Sequence, residues 1–364
     1  MKSLLIKPVS GDCNLRCGYC FYREHAIGES RVMAESTVDA LLSMMFDSSV
    51  DTCSFLFQGG EPTLAGLAFF ERFVALTREK NRLNVPVLYA MQTNGMHVDE
   101  KWADFLNRNN FLVGISLDGT RIVHNAYRKQ IDGSGSYDIV ERSARILQNA
   151  GVAFSILMTV TDKMTRSAKE VWENCISHGW NNIHIIPCLP DSGIKQALTP
   201  SEYGLFLCDL FDYWYASLLR GRYVSIRLFD NYVSLLSGGN FELCGLTGRC
   251  DAMIVVERDG SCYPCDFFVS PEWKIGDVKS DTIESLREKA RDVFISKIQR
   301  SVMARCSSCQ YKRICGGGCK GYRDPAGEFY FCSSMRLFFD RCFTRLLLLA
   351  NQERIILEKN PLSN

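Results

Sequence analysis

Three cysteines close to the start of the chain have a spacing that suits a metal centre. Cys13, Cys17 and Cys20 form a Cys-x3-Cys-x2-Cys motif after an apolar run, Ser3–Lys7, that we predict to be a β-strand. Four thiolates complete an iron–sulfur cube, whereas three leave one iron with an open position that can bind and activate a small ligand. Tetrahedral zinc with three thiolates and His25 as a fourth ligand is the alternative that this loop alone leaves open.

A larger set of cysteines lies in the last third of the chain. The sequence has 17 cysteines in 364 residues, and Pro8 interrupts the N-terminus before a signal-peptide apolar region can form. We therefore expect reduced thiols, for which metal binding or catalysis best explains clustered positions. Taken alone, the group from Cys306 to Cys319 is typical of a zinc ribbon. Eight of the later cysteines make two complete four-cysteine sets: Cys244, Cys250, Cys265, Cys306, Cys309, Cys315, Cys319 and Cys332.

The elements that must position these cysteines follow from the periodicity of apolar residues. Six runs rich in β-branched residues predict buried strands, with helix-period segments between and after them. Six such units with right-handed crossovers predict a parallel sheet in a partial (β/α)6 TIM-like barrel over residues 1–235. The predicted strands are Ser3–Lys7, Cys53–Gln58, Val87–Gln92, Leu112–Leu117, Ala153–Val160 and Ile183–Pro187. The predicted helices are Glu35–Phe46, Leu67–Lys80, Glu100–Arg108, Tyr137–Ala150, Ser167–His178 and Pro200–Arg220, the last with Thr199 as its N-cap.

Three polar and glycine-rich motifs follow predicted strands, so they face the same end of the sheet as the cysteine loop. Adjacent glycines let a backbone approach a ligand closely, and Glu61 places an acceptor where an amino group could dock. Together with the cysteine loop, these motifs predict a ligand site in which iron is favoured over zinc. They are Gln58-Gly59-Gly60-Glu61-Pro62 after the second strand, Gln92-Thr93-Asn94-Gly95 after the third and Ser116-Leu117-Asp118-Gly119 after the fourth.

A second module is predicted over residues 236–335, where glycine-rich turns and dense cysteines replace the βα alternation. Two strand-like runs, Met253–Glu257 and Ser261–Tyr263, predict a hairpin with the turn Arg258-Asp259-Gly260. The hairpin leads to Cys265, so it brings one of the later cysteines to the end of a strand.

Charge and hydropathy exclude several classes of protein. Lys+Arg 42 against Asp+Glu 41 leaves a formal charge of +1, which gives no bulk support for a nucleic-acid partner. The stretch Leu337–Leu357 is interrupted by charged residues, which predicts a closing amphipathic helix within residues 336–364 rather than an anchor. We therefore expect a cytoplasmic protein without a membrane or nucleic-acid partner.

The cysteine loop, its following Phe21-Tyr22 pair and the three strand-end motifs resemble the radical S-adenosylmethionine (SAM) superfamily over residues 1 to about 235. The resemblance implies that a [4Fe–4S] cluster on the three N-terminal cysteines chelates the amino and carboxylate groups of SAM through its open iron. One-electron cleavage of the sulfonium would give methionine and a 5′-deoxyadenosyl radical that abstracts a substrate hydrogen. Gly59, Gly60 and Glu61 would contact the methionine part of SAM. Weaker candidates for SAM contacts are Tyr19, Ser116 and Arg142.

The eight later cysteines resemble the SPASM module of radical SAM peptide-modifying enzymes, which carries two auxiliary [4Fe–4S] clusters and makes three clusters in all. Fully ligated clusters have no open iron, so electron transfer is their expected role. Auxiliary cluster I is assigned by position to Cys244, Cys250, Cys265 and Cys319. Auxiliary cluster II is assigned by position to Cys306, Cys309, Cys315 and Cys332. Core packing is the expected role of the remaining six, which are Cys53, Cys175, Cys188, Cys208, Cys262 and Cys342.

One acidic residue stands directly after a predicted cluster ligand and among aromatic residues. In the run Tyr263-Pro264-Cys265-Asp266-Phe267-Phe268, burial would raise the pKa of the Asp266 carboxyl, and a nearby cation would oppose that shift. A base here has a clear task. Once a hydrogen atom leaves the Cβ of a Cys or Ser, removal of the thiol or hydroxyl proton makes the radical a strong reductant, and a cluster one residue away could accept the electron.

This YPCDFF run, with LLIKPVSGDCNLRCGYCFY, QGGEPTLAG and VSIRLFDN, closely resembles the anaerobic sulfatase-maturating enzymes over nearly the whole chain. Those enzymes oxidise a Cys or Ser of a sulfatase to Cα-formylglycine. The resemblance implies Asp266 as the base, a sulfatase polypeptide as the substrate and a flavodoxin- or ferredoxin-type electron donor. It also places Tyr22, Gln58 and Tyr263 near the substrate.

Two other functions stay open at this point. A ribosomal-peptide maturase that forms a thioether or other crosslink would use the same cofactors. Many such maturases carry an additional N-terminal recognition domain, for which a motif starting at residue 13 leaves no room. A non-enzymatic zinc or iron–sulfur protein would explain the later cysteines but not the Gly-Gly-Glu-Pro loop. We therefore predict a formylglycine-generating radical SAM enzyme.

Overall fold

The computed structural model describes residues 2–22, 31–47, 51–189, 198–247, 250, 253–297 and 304–359. His25, the alternative zinc ligand, lies outside these residues. The strands are β1 Lys2–Ile6, β2 Cys53–Phe57, β3 Val87–Thr93, β4 Phe111–Ser116, β5 Phe154–Val160, β6 Asn182–Pro187, β7 Ser225–Ile226, β8 Ile254–Val256, β9 Ser261–Tyr263 and β10 Gly276–Asp277. The α-helices are α1 Glu35–Phe46, α2 Leu67–Lys80, α3 Glu100–Arg108, α4 Arg121–Tyr127, α5 Tyr137–Asn149, α6 Asp162–Thr165, α7 Ala168–Ser177, α8 Pro200–Leu219, α9 Arg227–Leu236, α10 Ile283–Lys297, α11 Ala304–Ser307, α12 Lys312–Cys315 and α13 Cys332–Lys359.

The alternation of strands and helices in the first half is as predicted. Each of the six predicted strands is present as β1 to β6 with bounds that differ by about one residue, and α1, α2 and α3 have the predicted bounds. Thr199 caps α8 as predicted: its hydroxyl accepts from the Glu202 amide at 3.2 Å, and the Glu202 carboxylate accepts from the Thr199 amide at 3.2 Å. This reciprocal pair satisfies two donors at the helix start.

Helix α10 is absent from the sequence-based prediction, although the sequence carries a start signal for it. The Thr282 hydroxyl accepts a hydrogen bond of 3.2 Å from the Ser285 amide just before the first turn of α10. A hydroxyl residue in front of an apolar period is a usual N-terminal helix signal. The predicted closing helix is present as α13, and it begins at Cys332, five residues before the predicted start at Leu337.

The chain folds into two compact units, neither of which is continuous in sequence. The first contains residues 1–117, 124–155 and 252–297, and the second contains residues 118–123, 156–251 and 298–364. The predicted divisions after residues 235 and 335 stay predictions.

The sheet of the first unit has the strand order β10-β9-β8-β1-β2-β3-β4. Neighbouring strands from β8 through β1, β2 and β3 to β4 are parallel, and the predicted hairpin β8–β9 is present with antiparallel pairing. Ile6 is paired with Phe57 on one side and with Val256 on the other. The segments that follow β1, β2 and β8 therefore leave the sheet side by side at one edge.

The second unit contains the parallel strands β5, β6 and β7 and a helical core. Helix α13 packs against α8 and α9, and the Phe338 and Phe229 rings stack with centroids 5.5 Å apart. The α/β class with consecutive parallel strands is confirmed. Among the described helices, none combines the length and the apolar character needed to cross a bilayer.

Candidate active site

The loop after β1 carries the three N-terminal cysteines, and we call residues 8–22 the cluster loop. The Cys13 and Cys17 side chains are half-buried, and Cys20 is exposed. The Gly18 amide donates to the Tyr127 carbonyl at 2.9 Å, which fixes the middle of the loop against the end of α4. Burial raises the pKa of the Cys13 thiol to about 12, so a metal ion bound to this sulfur would have to displace its proton.

The Gly-Gly-Glu loop after β2 lies directly against the cluster loop. The Gly60 amide donates to the Ser10 carbonyl at 2.6 Å, and the Glu61 amide donates to the Asp12 carbonyl at 2.8 Å. A Cβ on Gly60 would lie 2.0 Å from the Asp12 carbonyl oxygen, so no other residue fits here without moving the backbone. The motif therefore fixes the backbone just before Cys13.

The Glu61 carboxylate joins the loops after β2 and β3. Its Oε1 accepts from the hydroxyls of Thr63 and Thr93, each at 2.7 Å, and its Oε2 accepts from the Asn94 amide at 2.6 Å. The side chain is fully buried, and burial raises its pKa. Both oxygens thus serve donors of the chain itself, so the carboxylate orders the two loops.

Asn94, a residue of the Gln92-Thr93-Asn94-Gly95 motif for which no individual role was predicted, extends this order to Cys13. Its side-chain amide donates to the Asn14 side-chain oxygen at 2.7 Å and lies 3.6 Å from the Cys13 sulfur. The hydrogen bonds therefore run from Glu61 through Asn94 to Cys13. The QTNG motif was the available signal, since it follows a strand next to the Gly-Gly-Glu loop.

The weaker SAM-contact candidates have different surroundings. Tyr19 is buried, and the Arg128 guanidinium lies over its ring, 5.4 Å from the centroid. Ser116 is buried at the end of β4, whereas Arg142 is exposed on α5. Arg128 is itself 8% exposed, and no pattern in the sequence indicates a role for it. The structure thus brings Arg128 to the cluster loop, and Tyr19, Ser116 and Arg142 stay candidates for SAM contacts.

Asp266 is held from two directions. The Lys7 ammonium forms an ion pair with Asp266 Oδ1, and the Gln58 side-chain amide donates to Oδ2 at 2.8 Å. The Lys7 side chain is completely buried, whereas the Asp266 side chain is 18% exposed. The two donors fix the plane of the carboxylate and leave part of it open to the outside.

A second carboxylate shares the Lys7 ammonium. Glu257 Oε1 lies 3.9 Å from Lys7 Nζ and accepts a hydrogen bond from the Tyr22 hydroxyl. The ammonium also lies 3.1 Å from the centroid of the Tyr22 ring, a cation–π contact. Burial raises the pKa of Glu257, and the charge of Lys7 opposes this rise.

Lys7 and Glu257 were not predicted as site residues. Tyr22 and Tyr263, which were predicted to lie near the substrate, also pack in the protein interior. Each of the two charged residues directly follows a buried strand, which is the only signal that the sequence offers. Tyr22 and Tyr263 pack in one buried cluster with Leu5, Val255 and Val269. Their contacts with a substrate stay predictions.

Four cysteines of the second unit line a single cavity of about 360 Å³. They are Cys306, Cys309, Cys315 and Cys332, the set assigned to auxiliary cluster II. Burial, followed by the charges of neighbouring thiols, raises the pKa of Cys315 to about 11. A cavity with four thiols provides both the donors and the room that a cubic cluster requires.

Three of the four cysteines assigned to auxiliary cluster I lie in the second unit. Burial raises the pKa of the Cys319 thiol to about 11, and the thiols of Cys244 and Cys250 are close enough to contribute. A Cβ on Gly245 would lie 3.3 Å from the Cys319 Cβ, which is closer than ordinary van der Waals contact, so glycine lets the two segments approach. Cys265 is half-buried and belongs to the first unit.

Exposure separates the predicted ligands from the other cysteines. Each of the eleven predicted ligands is half-buried or exposed, which leaves room for a metal on the sulfur. The remaining six are buried, as expected for core residues. The buried cysteines are Cys53, Cys175, Cys188, Cys208, Cys262 and Cys342.

Comparisons with known proteins agree with this arrangement. The model of the radical SAM superfamily matches residues 8–188, and that of SPASM, an iron–sulfur cluster-binding domain, matches residues 244–310. The cysteine-type anaerobic sulfatase-maturating enzyme of Clostridium perfringens is 38% identical over 96% of this chain and 98% of its own length. The serine-type anaerobic sulfatase-maturating enzyme of Klebsiella aerogenes is 25% identical over 92% of this chain and 84% of its own length.

Solved structures include one that is similar in both sequence and fold and one that is similar in fold alone. Native anSMEcpe with bound AdoMet has a TM-score of 0.92 and 38% identity, over 96% of this chain and 100% of that chain. Streptococcus suis SuiB bound to S-adenosylmethionine has a TM-score of 0.62 and 18% identity, over 91% of this chain and 76% of that chain, which is a likeness of fold alone.

The fold and the site thus define an iron–sulfur oxidoreductase of the radical SAM superfamily with a SPASM domain, whose cofactors are SAM and [4Fe–4S] clusters. Within this class, the chain belongs to the anaerobic sulfatase-maturating enzymes, which form Cα-formylglycine. The predicted family, fold class, cofactors and overall reaction are confirmed. The sulfatase-maturating relatives that match over nearly the whole chain are neither crosslinking peptide maturases nor non-enzymatic metal proteins.

Proposed function

We propose that this enzyme oxidises a cysteine of a sulfatase polypeptide, with Asp266 as the base that receives the thiol proton. The position of Asp266 carries this proposal: its carboxylate is oriented by Lys7 and Gln58, is partly exposed, and lies in the same compact unit as the cluster loop. A base must be reachable by the substrate and held in a fixed orientation, and this carboxylate meets both requirements.

The distribution of thiols supports three [4Fe–4S] clusters. Cys13, Cys17 and Cys20 would hold the cluster that binds SAM, on a loop whose backbone is fixed by Gly60 and Glu61. The cavity lined by four thiols fits auxiliary cluster II. The proposed ligands of auxiliary cluster I are Cys244, Cys250, Cys265 and Cys319, and those of auxiliary cluster II are Cys306, Cys309, Cys315 and Cys332.

Different residues of this chain would have different roles in the reaction. When bound, SAM and its cluster would supply a 5′-deoxyadenosyl radical that removes a Cβ hydrogen, and an auxiliary cluster would supply the acceptor for one electron. Asp266 would accept the thiol proton, while Lys7 and Gln58 hold its two oxygens in place. Gly59 and Gly60 would contact the methionine part of SAM through the backbone. Glu61 would act on SAM by ordering the same loop, with Tyr19, Ser116 and Arg142 as further contact candidates.

The identity of the target residue follows the closer relatives. The chain is 38% identical to a cysteine-type enzyme and 25% identical to a serine-type enzyme, and each match covers at least 92% of this chain. Cysteine is therefore the proposed target. The electron that starts each turnover would come from a flavodoxin- or ferredoxin-type donor in the cytoplasm.

The test is an anaerobic assay of reconstituted enzyme with SAM, reductant and a sulfatase-type peptide with a Cys-x-Pro-x-Arg core, run beside its serine counterpart. We expect mass spectrometry to detect an aldehyde in the cysteine peptide, with faster conversion than in the serine peptide. Faster conversion of the serine peptide would overturn the proposed target. Cleavage of SAM with both peptides unchanged would overturn the proposed substrate.

A further inference from the structure

Two consecutive residues at the turn of the β8–β9 hairpin contact the cluster loop on either side of its three cysteines. Glu257 accepts a hydrogen bond from the hydroxyl of Tyr22, two residues after the last cluster cysteine. Arg258 Nη1 lies 2.9 Å from Asp12 Oδ2, one residue before the first cluster cysteine. The same Arg258 nitrogen donates to the Arg31 carbonyl at 3.3 Å. The hairpin therefore contacts both sides of the segment that carries the three thiols.

Three of the four side chains that make these contacts, those of Tyr22, Glu257 and Arg258, are buried. Glu257 is completely buried, and Arg258 is 7% exposed. An exposed ion pair is screened by solvent and contributes little to stability. Removing one partner of a buried pair is destabilising, because the other charge is left uncompensated. The hydrogen bond from Tyr22 to Glu257 is thus fully shielded, whereas the ion pair of Arg258 with Asp12 is partly screened because the Asp12 side chain is 40% exposed.

The hairpin also carries the proposed base. Strand β8 pairs with β1 in the sheet, β9 ends at Tyr263, and Asp266 follows three residues later. Glu257 also faces the Lys7 ammonium that pairs with Asp266. One short hairpin therefore contacts the loop of the radical cluster and leads directly to the base.

We propose that Glu257 and Arg258 are positioning residues that fix the Asp266 segment relative to the cluster loop, so that hydrogen abstraction and proton removal act on the same substrate residue. The inference rests on the proposed function, in which Asp266 is the base. Glu257 acts through Tyr22 and Lys7, and Arg258 acts through Asp12. A misplacement of about 1 Å far from the reacting atoms can cost on the order of a hundredfold in rate.

The test compares Glu257→Gln and Arg258→Gln with the wild-type enzyme, all reconstituted to equal iron content. The readout is the ratio of 5′-deoxyadenosine to aldehyde product. We expect this ratio to rise about tenfold in each variant, because the radical forms while the substrate is misaligned. The control is Arg72→Gln, which removes an arginine from an exposed ion pair with Glu35 and should keep the wild-type ratio. An unchanged ratio in both hairpin variants would overturn the proposal.

Two further measurements separate positioning from a general loss of folding. Arg258→Lys keeps a cation near Asp12 and should restore much of the wild-type ratio, whereas a role in packing alone would not be rescued in this way. Hydrogen–deuterium exchange of the reconstituted protein should show faster exchange in residues 9–22 of Arg258→Gln and unchanged exchange in α2.

The exchange measurement does not depend on product. If the wild-type enzyme formed no aldehyde, the proposed function would fail while this measurement still tested the inference. Unchanged exchange in the cluster loop would overturn the inference whatever the activity.

Discussion

At the scale of single residues, Asp266 is oriented by side chains that are remote in sequence. Gln58 lies 208 positions earlier and Lys7 lies at the end of β1, yet each contacts one carboxylate oxygen. The Lys7 ammonium is shared with the buried Glu257, so one cation serves two carboxylates. Desolvation of Lys7, Glu257 and Asp266 costs free energy, so each charge is stabilised only while its oppositely charged partners are present.

Replacing Asp266 by Asn tests the role of the carboxylate with little change in shape. We expect Asp266→Asn to form 5′-deoxyadenosine at a rate within about twofold of wild type, since the radical forms elsewhere, and to form aldehyde on the order of a hundredfold more slowly. Mass spectrometry of both products in one anaerobic assay gives the two rates. Asp132→Asn, on an exposed turn, is the control. Equal loss of both products would remove Asp266 from the role of base.

Replacing Cys17 by Ala tests the proposed SAM-binding cluster. Cys17→Ala leaves two of the three thiolates, so we expect the cluster not to assemble and SAM cleavage to fall below detection. Chromatography of 5′-deoxyadenosine measures the loss. Cys53→Ala, at a buried position outside the ligand sets, should retain SAM cleavage. Cleavage by Cys17→Ala at the wild-type rate would show that this thiol holds no essential iron.

The residues that escaped prediction share a physical reason. Lys7 and Glu257 meet because β1 pairs with β8, and a pairing across some 250 residues leaves no local pattern in the sequence. The three N-terminal cysteines, in contrast, are proposed as cluster ligands from the sequence alone, because such a cluster requires a short spacing within one loop. Asn94 and Arg128 lie beside that loop, but a lone polar residue has no spacing to reveal its partner.

At the scale of elements, α13 carries two cysteines with different surroundings. Cys332 lies at its first residue and lines the cavity of four thiols, whereas Cys342 is buried three turns later. The predicted closing helix was correct in kind, but its start could not be set from periodicity because Cys332 to Arg336 has little amphipathic character. The helix thus supplies a proposed metal ligand as well as a packing surface.

The two cysteines of α13 form a matched pair for analysis of iron. We expect Cys332→Ala to lower the iron content from about twelve to about eight atoms per chain, because one of three cubes loses a ligand. Cys342→Ala should keep about twelve and lose about 1 kcal/mol of stability through a small cavity. Colorimetric iron analysis after anaerobic reconstitution gives the counts. Equal iron in both variants would contradict the assignment of Cys332.

The start of α8 offers a second comparison at this scale. Thr199→Ala removes a side chain that caps the helix and should lower the free energy of unfolding by about 1 kcal/mol. Ser167 precedes α7 in the same kind of position but forms no capping hydrogen bond, so Ser167→Ala should change stability by less than about 0.5 kcal/mol. Urea unfolding under anaerobic conditions measures both. A larger effect at Ser167 would contradict this account of the α8 N-terminus.

At the scale of the whole molecule, the order of strands and helices was predictable but the division into compact units was not. Local periodicity gives β1 to β6 and the longer helices between them, since each is patterned by its own burial, whereas the short helices α4 and α6 were not predicted. The units combine distant segments, with residues 252–297 joining the first unit through the β8–β1 pairing. Such grouping depends on contacts between elements, which periodicity does not encode.

Removal of iron should affect the molecule unevenly. Helices α11 and α12 have four residues each, too short to persist without support, and they lie beside the cavity of four thiols. Anaerobic chelation of iron should therefore speed hydrogen exchange in residues 304–315 by about tenfold or more, with little change in α2. Mass spectrometry of proteolytic fragments measures the change. Uniform acceleration in both regions would contradict this expectation.

The separation of cysteines by exposure also bears on how such an enzyme matures. An incoming iron–sulfur precursor must choose among 17 thiols of the same intrinsic chemistry. Because the six cysteines outside the proposed ligand sets are buried, the fold leaves accessible only the eleven thiols that are proposed to carry iron. Under this assignment, access alone would direct a precursor to the ligand sets, and burial would also keep the six interior thiols away from oxidants.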